Sequence, residues 1–144
     1  MDLFHGTAVL YRGFGILIRG PSGSGKSDLA LRLIDDGADL IADDQVIIKS
    51  VGEILQLSSP DKISGLIEVR GVGVVRIKYV SSIPLGLIVD INPRKKLKRM
   101  PITKKELIGN ISIPVITINA FESSAVAKIK VFLQFLGNEI KLLV

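Results

Sequence analysis

Cysteine and tryptophan are both missing from this chain of 144 residues. Without cysteine there are no disulfides, no thiolate zinc sites and no cysteine nucleophile, a pattern consistent with a reducing compartment. Aromatic residues make up only 5% of the chain against 47% apolar residues overall, so the core is expected to be Val, Ile and Leu. Such a core suits a sheet-containing fold. No apolar run approaches the ~20 residues a membrane span requires, and no membrane partner is expected. The first residues do not read as a signal peptide, because Asp2 and His5 flank the only short apolar stretch there. The expected location is cytoplasmic. Basic residues outnumber acidic ones by 19 to 14, a net charge of +5, which favours anionic ligands such as a nucleotide, phosphate or an acidic protein. Nucleic acid is not expected, since Tyr and Phe are scattered and no helix carries a basic recognition face. With no repeat, low-complexity segment or long linker, residues 1–144 read as a single domain.

What the chain does have is Gly20-Pro21-Ser22-Gly23-Ser24-Gly25-Lys26-Ser27, which fits G-x-x-x-x-G-K-[ST] at every fixed position. A short buried strand is predicted over Gly15–Arg19 and a helix from about Ser27. Strand, glycine-rich turn and helix N-terminus aim backbone N–H groups at one point, where the helix dipole also favours an anion. Gly23 and Gly25 permit backbone angles that a side chain resists. Lys26 supplies charge for the β- and γ-phosphates of a nucleotide, and the Ser27 hydroxyl is of the type that ligates Mg²⁺.

Around this loop the pattern predicts an α/β domain with many strands, a mixed sheet and two main helices. Leu3–Tyr11 reads as one strand, with Arg12-Gly13-Phe14 turning into the strand before the loop. The first helix presents Leu29, Ala30, Leu33 and Ile34 on one face and ends at Gly37. Leu40–Ile48 gives two apolar runs flanking Asp43-Asp44. Leu66–Val75 is strand-like on both sides of a glycine-rich kink, and Leu85–Ile91 is a buried strand. Ile111–Ile118 is another, with Pro114 suggesting an edge or a bulge. A closing amphipathic helix is expected from Phe121 to about Leu136.

Candidate chemistry gathers at a few positions. Asp43 and Asp44 follow Lys26 by 17 and 18 residues, at a strand end from which a side chain can reach the γ-phosphate. One carboxylate could accept a proton from an attacking hydroxyl while the other organises a metal; the pair also reads simply as a turn. Glu68, in a strand otherwise built of Ile and Val, is either on its solvent face or aimed at a cation. His5 is the only histidine, of interest if the hairpin brings it to the loop. The run Arg94-Lys95-Lys96-Leu97-Lys98-Arg99 reads as a solvated loop, an arginine clamp on a phosphoryl group, or a landing site for an acidic partner.

In order, these motifs resemble the catalytic domain of HPr kinase/phosphorylase, the bacterial enzyme that phosphorylates a serine of the phosphocarrier HPr. His5-Gly6, the loop Gly20–Ser27, Leu40-Ile41-Ala42-Asp43-Asp44 and Glu68-Val69-Arg70-Gly71-Val72-Gly73 span roughly the first 75 residues, the last matching an E-[IV]-R-G-[LV]-G signature. The resemblance implies a fold similar to the nucleotide-binding core of phosphoenolpyruvate carboxykinase, a mixed sheet with flanking helices. It implies that Lys26 binds the β/γ-phosphates, that Ser27 with Glu68 holds Mg²⁺, and that one of Asp43 and Asp44, with Asp44 preferred, is the base. His5 would be near the phosphates, and Arg99 is similar in place to an active-site arginine. Hexamers are implied too, with the apolar helix from Phe121 and the tail Ile140–Val144 as candidate interface.

The chain also departs from the family. A separate N-terminal domain is not expected, in keeping with short α-proteobacterial versions. Ile113–Asn119 stands where the full enzyme carries a basic, proline-containing loop associated with phosphorolysis, and Gln45 stands where a basic residue is usual. The expectation is an ATP- and Mg²⁺-dependent serine kinase acting on HPr or an HPr-like carrier, with weak or absent phosphorylase activity. A non-catalytic ATP-sensing module and a small-molecule kinase on the same core are the alternatives.

Overall fold

In the computed structural model the residues described are 2–92, 104–139 and 141. The strand expected over Leu3–Tyr11 is two strands, β1 (Asp2–His5) and β2 (Thr7–Tyr11). They part at Gly6, where a Cβ would fall 2.7 Å from the carbonyl oxygen of Ile18. Only glycine lets the chain pass that close. Beyond the break, β2 forms a hairpin with β3 (Phe14–Arg19), Tyr11 facing Phe14. Its two-residue loop has φ of 51° at Arg12 and 83° at Gly13, the double positive-φ turn that matches strand twist.

Nine strands make one mixed sheet, as expected. Besides β1 to β3 it holds β4 (Asp39–Ala42), β5 (Gln45–Val51), β6 (Ile54–Ser58), β9 (Ile83–Ile91), β10 (Lys104–Ile108) and β11 (Ile111–Ile118). Its order is β1-β5-β6-β9-β3-β2-β4, with β11 lying parallel to β9 and β10 paired outside β11. A separate hairpin, β7 (Leu66–Val69) and β8 (Gly73–Arg76), flanks the glycine kink. Strand β10 escapes sequence reading because its Lys104-Lys105-Glu106 start is charged, as suits an exposed edge. Strand β11 is not an edge and has no bulge in its pairing with β10. Pro114 is tolerated because the ladder to β9 begins only at Val115, so no donor is needed from it on that side.

The two faces of the sheet are closed differently. Helices α1 (Lys26–Asp35) and α2 (Ala125–Leu136) both lie on one face, packing Leu29, Leu33, Ile129 and Leu133 on Ile16, Ile18, Leu87 and Val89. On the other face the sheet curls over itself, burying Leu17 and Ile88 with Ile41, Val46 and Leu57. Each such fully buried Leu or Ile contributes on the order of 2 kcal/mol. Strand β9 joins the halves: it pairs with β6 at Ile83 and Pro84, then with β3 from Leu85. The register slips at Gly86, since Gly15 faces Leu85 and Ile16 faces Leu87. That extra residue sends Leu85 and Leu87 to opposite faces although they are two apart.

Helix α1 ends where Gly37 predicts. Gly37 takes φ 108°, its N–H bonds the Ile34 carbonyl at 3.0 Å, and the Ala38 N–H bonds that of Leu33 at 2.9 Å. Helix α2 starts at Ala125 rather than Phe121, because residues 119–124 form a loop fixed by the Asn119 side chain, which accepts from the Phe121 N–H at 3.0 Å. Its buried stripe is Ala125, Ile129 and Leu133, with Phe132 and Leu136 partly covered. No helix among the described residues is long and apolar enough to cross a membrane.

Candidate active site

Strand β3 delivers the chain into the glycine-rich loop Gly20–Ser27 through a tight passage. A Cβ on Gly20 would lie 2.6 Å from the Ser24 hydroxyl and 3.1 Å from the Ile91 carbonyl oxygen. Gly23 and Gly25 adopt φ of 76° and 99°, so both conformations are ones a larger residue resists. The Ser24 N–H bonds the Pro21 carbonyl at 3.1 Å, and its buried hydroxyl has no hydrogen-bond partner among the described residues. Lys26 opens α1, and its ammonium donates to the carbonyls of Gly20 (2.9 Å) and Pro21 (3.0 Å), arching over the loop. Pro21, Ser22 and Gly23 are exposed on the rim.

A cleft of about 360 Å³ opens beside the loop, lined by Ser22, Gly25, Lys26 and Ser27 on one wall and by His5, Asp44, Glu68 and Arg70 on others. The two adjacent aspartates, on the β4–β5 connection, face opposite surroundings. Asp43 is buried. Its Oδ1 accepts from the hydroxyls of Ser27 (2.7 Å) and Thr7 (2.9 Å), and its Oδ2 accepts the Glu68 backbone N–H at 3.1 Å. Asp44 is open, its side chain 72% exposed, and its backbone takes φ 73°. Its carbonyl accepts the Gly6 N–H at 3.0 Å, so the same Gly6 that breaks the first strand fixes this turn. One residue earlier, His5 sets its Nδ1 3.7 Å from the Asp44 carboxylate.

Most of the residues singled out from sequence therefore meet here: His5, part of the loop, Asp44 and Glu68 line one cleft, and Asp43 is buried behind Ser27. Arg99 and the basic run Arg94–Arg99 lie outside the described residues. Three contributors had gone unread. Thr7 anchors Asp43 from β2, and the only sequence signal is a hydroxyl at the head of an otherwise apolar strand. Arg19 grips Asp90 through Nε and Nη2 (2.8 and 2.9 Å) and Glu106 through Nη1 and Nη2 (2.6 and 2.9 Å), tying the strand that feeds the loop to β9 and β10. Those bonds lower the Glu106 carboxyl below its ordinary pKa and raise the guanidinium further. Arg32 of α1 donates to the carbonyls of Ala120 and Glu122, holding the loop after β11 against α1.

The donor chemistry fits a hard cation. A hydroxyl and a carboxylate are held together at Ser27 and Asp43, with Glu68 on the same cleft. No cluster of three or more His, Cys, Asp or Glu side chains among the described residues is arranged as a protein metal cage. Mg²⁺ is a hard cation of the kind that binds through one or two carboxylates together with substrate phosphates.

The family model for the HPr Serine kinase C-terminal domain matches residues 1–131. An HPr kinase/phosphorylase of Clostridium kluyveri is 38% identical over 121 residues, covering 77% of this chain and 39% of that protein. One from Brevibacillus brevis is 36% identical over 126 residues, covering 79% of this chain and 40% of its own length. The chain thus spans about two fifths of these curated relatives. The solved structure of the Hpr(Ser) kinase/phosphatase from Coxiella burnetii superposes with a TM-score of 0.84 at 25% identity, covering 97% of this chain and 100% of that one. The chain belongs to the HPr Serine kinase C-terminal domain family, and the cleft beside its loop Gly20–Ser27 is its candidate active site.

Proposed function

We propose that this chain is an ATP- and Mg²⁺-dependent kinase that phosphorylates a serine of HPr or an HPr-like carrier, and that residues 1–144 act as one catalytic domain. The observation that carries the reading is the division between neighbouring aspartates. Asp43 is enclosed with the phosphate-loop Ser27, whereas Asp44 stands open in the same cleft. An ATP sensor has no use for a second, solvent-facing carboxylate beside its metal-type hydroxyl.

In this reading the backbone N–H groups of the loop and the Lys26 ammonium bind the β- and γ-phosphates, with Lys26 turning from its carbonyl partners toward them. Mg²⁺, held by Ser27 with Asp43 and Glu68, would neutralise charge developing on the phosphate oxygens. Asp44 accepts the proton of the incoming serine hydroxyl as its oxygen bonds to the γ-phosphorus and the bond to ADP breaks. His5, beside Asp44, lies where it can hold that carboxylate toward the acceptor. Arg99 remains a candidate for a charge on the transferring group. The core is read as similar to that of phosphoenolpyruvate carboxykinase, and the protein as cytoplasmic. A homo-oligomer, six copies by resemblance, belongs to the same reading.

Weak or absent phosphorylase activity is supported by the segment from Ile113 to Ser124, which carries no Lys or Arg to bind inorganic phosphate. Incubating HPr with γ-labelled ATP, Mg²⁺ and the wild type, Asp44→Asn and Lys26→Ala proteins tests the kinase. Serine labelling lost in both variants is the expected result. ATP binding with no transfer to any carrier overturns it in favour of a sensor. Adding phosphate to serine-phosphorylated HPr tests the reverse direction, and rapid pyrophosphate release would refute that part.

A further inference from the structure

We propose that Phe121 is the platform on which the purine ring of the bound nucleotide stacks, an assignment that rests on the ATP reading above. Strands β3, β9 and β11 are parallel neighbours, and β4 runs the same way beyond β2. The loops after β4, β3 and β11 therefore share the carboxyl edge of the sheet, where open α/β sheets take their ligands. The phosphate loop follows β3. Asp43 and Asp44 follow β4, two strands to one side, and Phe121 follows β11, two strands to the other. A triphosphate whose γ end points at Asp44 directs its nucleoside the opposite way. The strands that carry the two loops are two spacings, about 10 Å, apart, and the Phe121 ring spans that gap to reach the edge of the loop at Gly25.

The loop that carries Phe121 is built to present it. The residue is 65% exposed in a chain with only five Phe and two Tyr, and its ring edge lies 3.5 Å from where a Cβ of Gly25 would sit. The flanking carbonyls of Ala120 and Glu122 are gripped by Arg32, the Phe121 N–H is tied to Asn119, and Ala120 is fully buried. An exposed aromatic ring, fixed at its backbone and touching the phosphate loop on the flank away from the acidic cleft, is the arrangement a base stacks on.

The test compares Mg²⁺-ATP with inorganic triphosphate, which has the phosphates and no base. Phe121→Ala should weaken ATP binding about tenfold and leave triphosphate binding unchanged. Phe121→Trp would carry the only tryptophan of the chain, and its fluorescence should be quenched by ATP but not by triphosphate. Equal losses for both ligands would mean that the ring merely supports Gly25 and would overturn the proposal. So would unchanged ATP affinity, including the case in which only the oligomeric state responds. A wild type that binds neither ligand overturns the ATP reading with it, whereas a wild type that binds both isolates the Phe121 assignment.

Discussion

Thr7 and Ser27 donate their hydroxyls to the same oxygen of Asp43, at 2.9 and 2.7 Å. One donor comes from β2 and the other from the first turn of α1, so the carboxylate is held even when the Ser27 oxygen is engaged elsewhere. Thr7→Val removes one donor at nearly constant shape. Outer-shell losses of this kind cost about 10-fold or more in metal affinity or activity. The Mg²⁺ concentration needed for half-maximal nucleotide binding should rise about tenfold, and Thr7→Ser should restore it. An unchanged Mg²⁺ requirement in Thr7→Val would show that Ser27 and the Glu68 N–H suffice.

The junction of the two sheet halves depends on a glycine. A Cβ on Gly15 would sit 2.2 Å from the Pro84 carbonyl oxygen, a backbone atom that cannot rotate away. Gly15→Ala should destabilise by about 3 kcal/mol, lowering Tm by roughly 10 °C. Gly13→Ala, with open space around it and only its φ of 83° against it, should cost about 1 kcal/mol. Thermal melts that rank the two the other way would contradict the close approach at β9.

Acid should loosen the grip of Arg19. Its bonds lower the Glu106 pKa from the ordinary 4.5. The ion pair therefore stabilises the fold above about that pH and ceases to do so as pH falls through the lowered folded value. The Glu106 side chain is 41% exposed, so the effect is screened and amounts to about 1 kcal/mol at most. By denaturant titration, Glu106→Gln should be less stable than wild type at pH 7, and the gap should close as pH falls below 4.5 through the lowered folded value. A difference that is constant with pH would deny the charge any part.

What was legible from sequence was what is local. The glycine-rich turn between β3 and α1 declares itself because its glycines, Lys26 and Ser27 fall within eight consecutive residues, and the Gly37 stop and the Arg12-Gly13 turn follow from single-residue backbone preferences. The order of His5, Asp43-Asp44 and Glu68 told which residues belong together. It did not tell what each touches. The separation of Asp43 from Asp44 arises from a turn residue at positive φ and from Thr7, 36 positions away, which no periodicity reports. Similarly, β1 looks continuous with β2 because the break at Gly6 is imposed by the passage against Ile18, a tertiary cause.

The central claim, that Asp44 is the base toward a serine acceptor while Asp43 serves the nucleotide end, is tested by single-turnover transfer from γ-labelled ATP to HPr with nucleotide binding measured in parallel. Asp44→Asn should bind Mg²⁺-ATP within about twofold of wild type, yet transfer its label about 10² to 10⁴ times more slowly. Asp43→Asn should instead lose Mg²⁺-dependent binding. Transfer by Asp44→Asn at the wild-type rate would contradict the account.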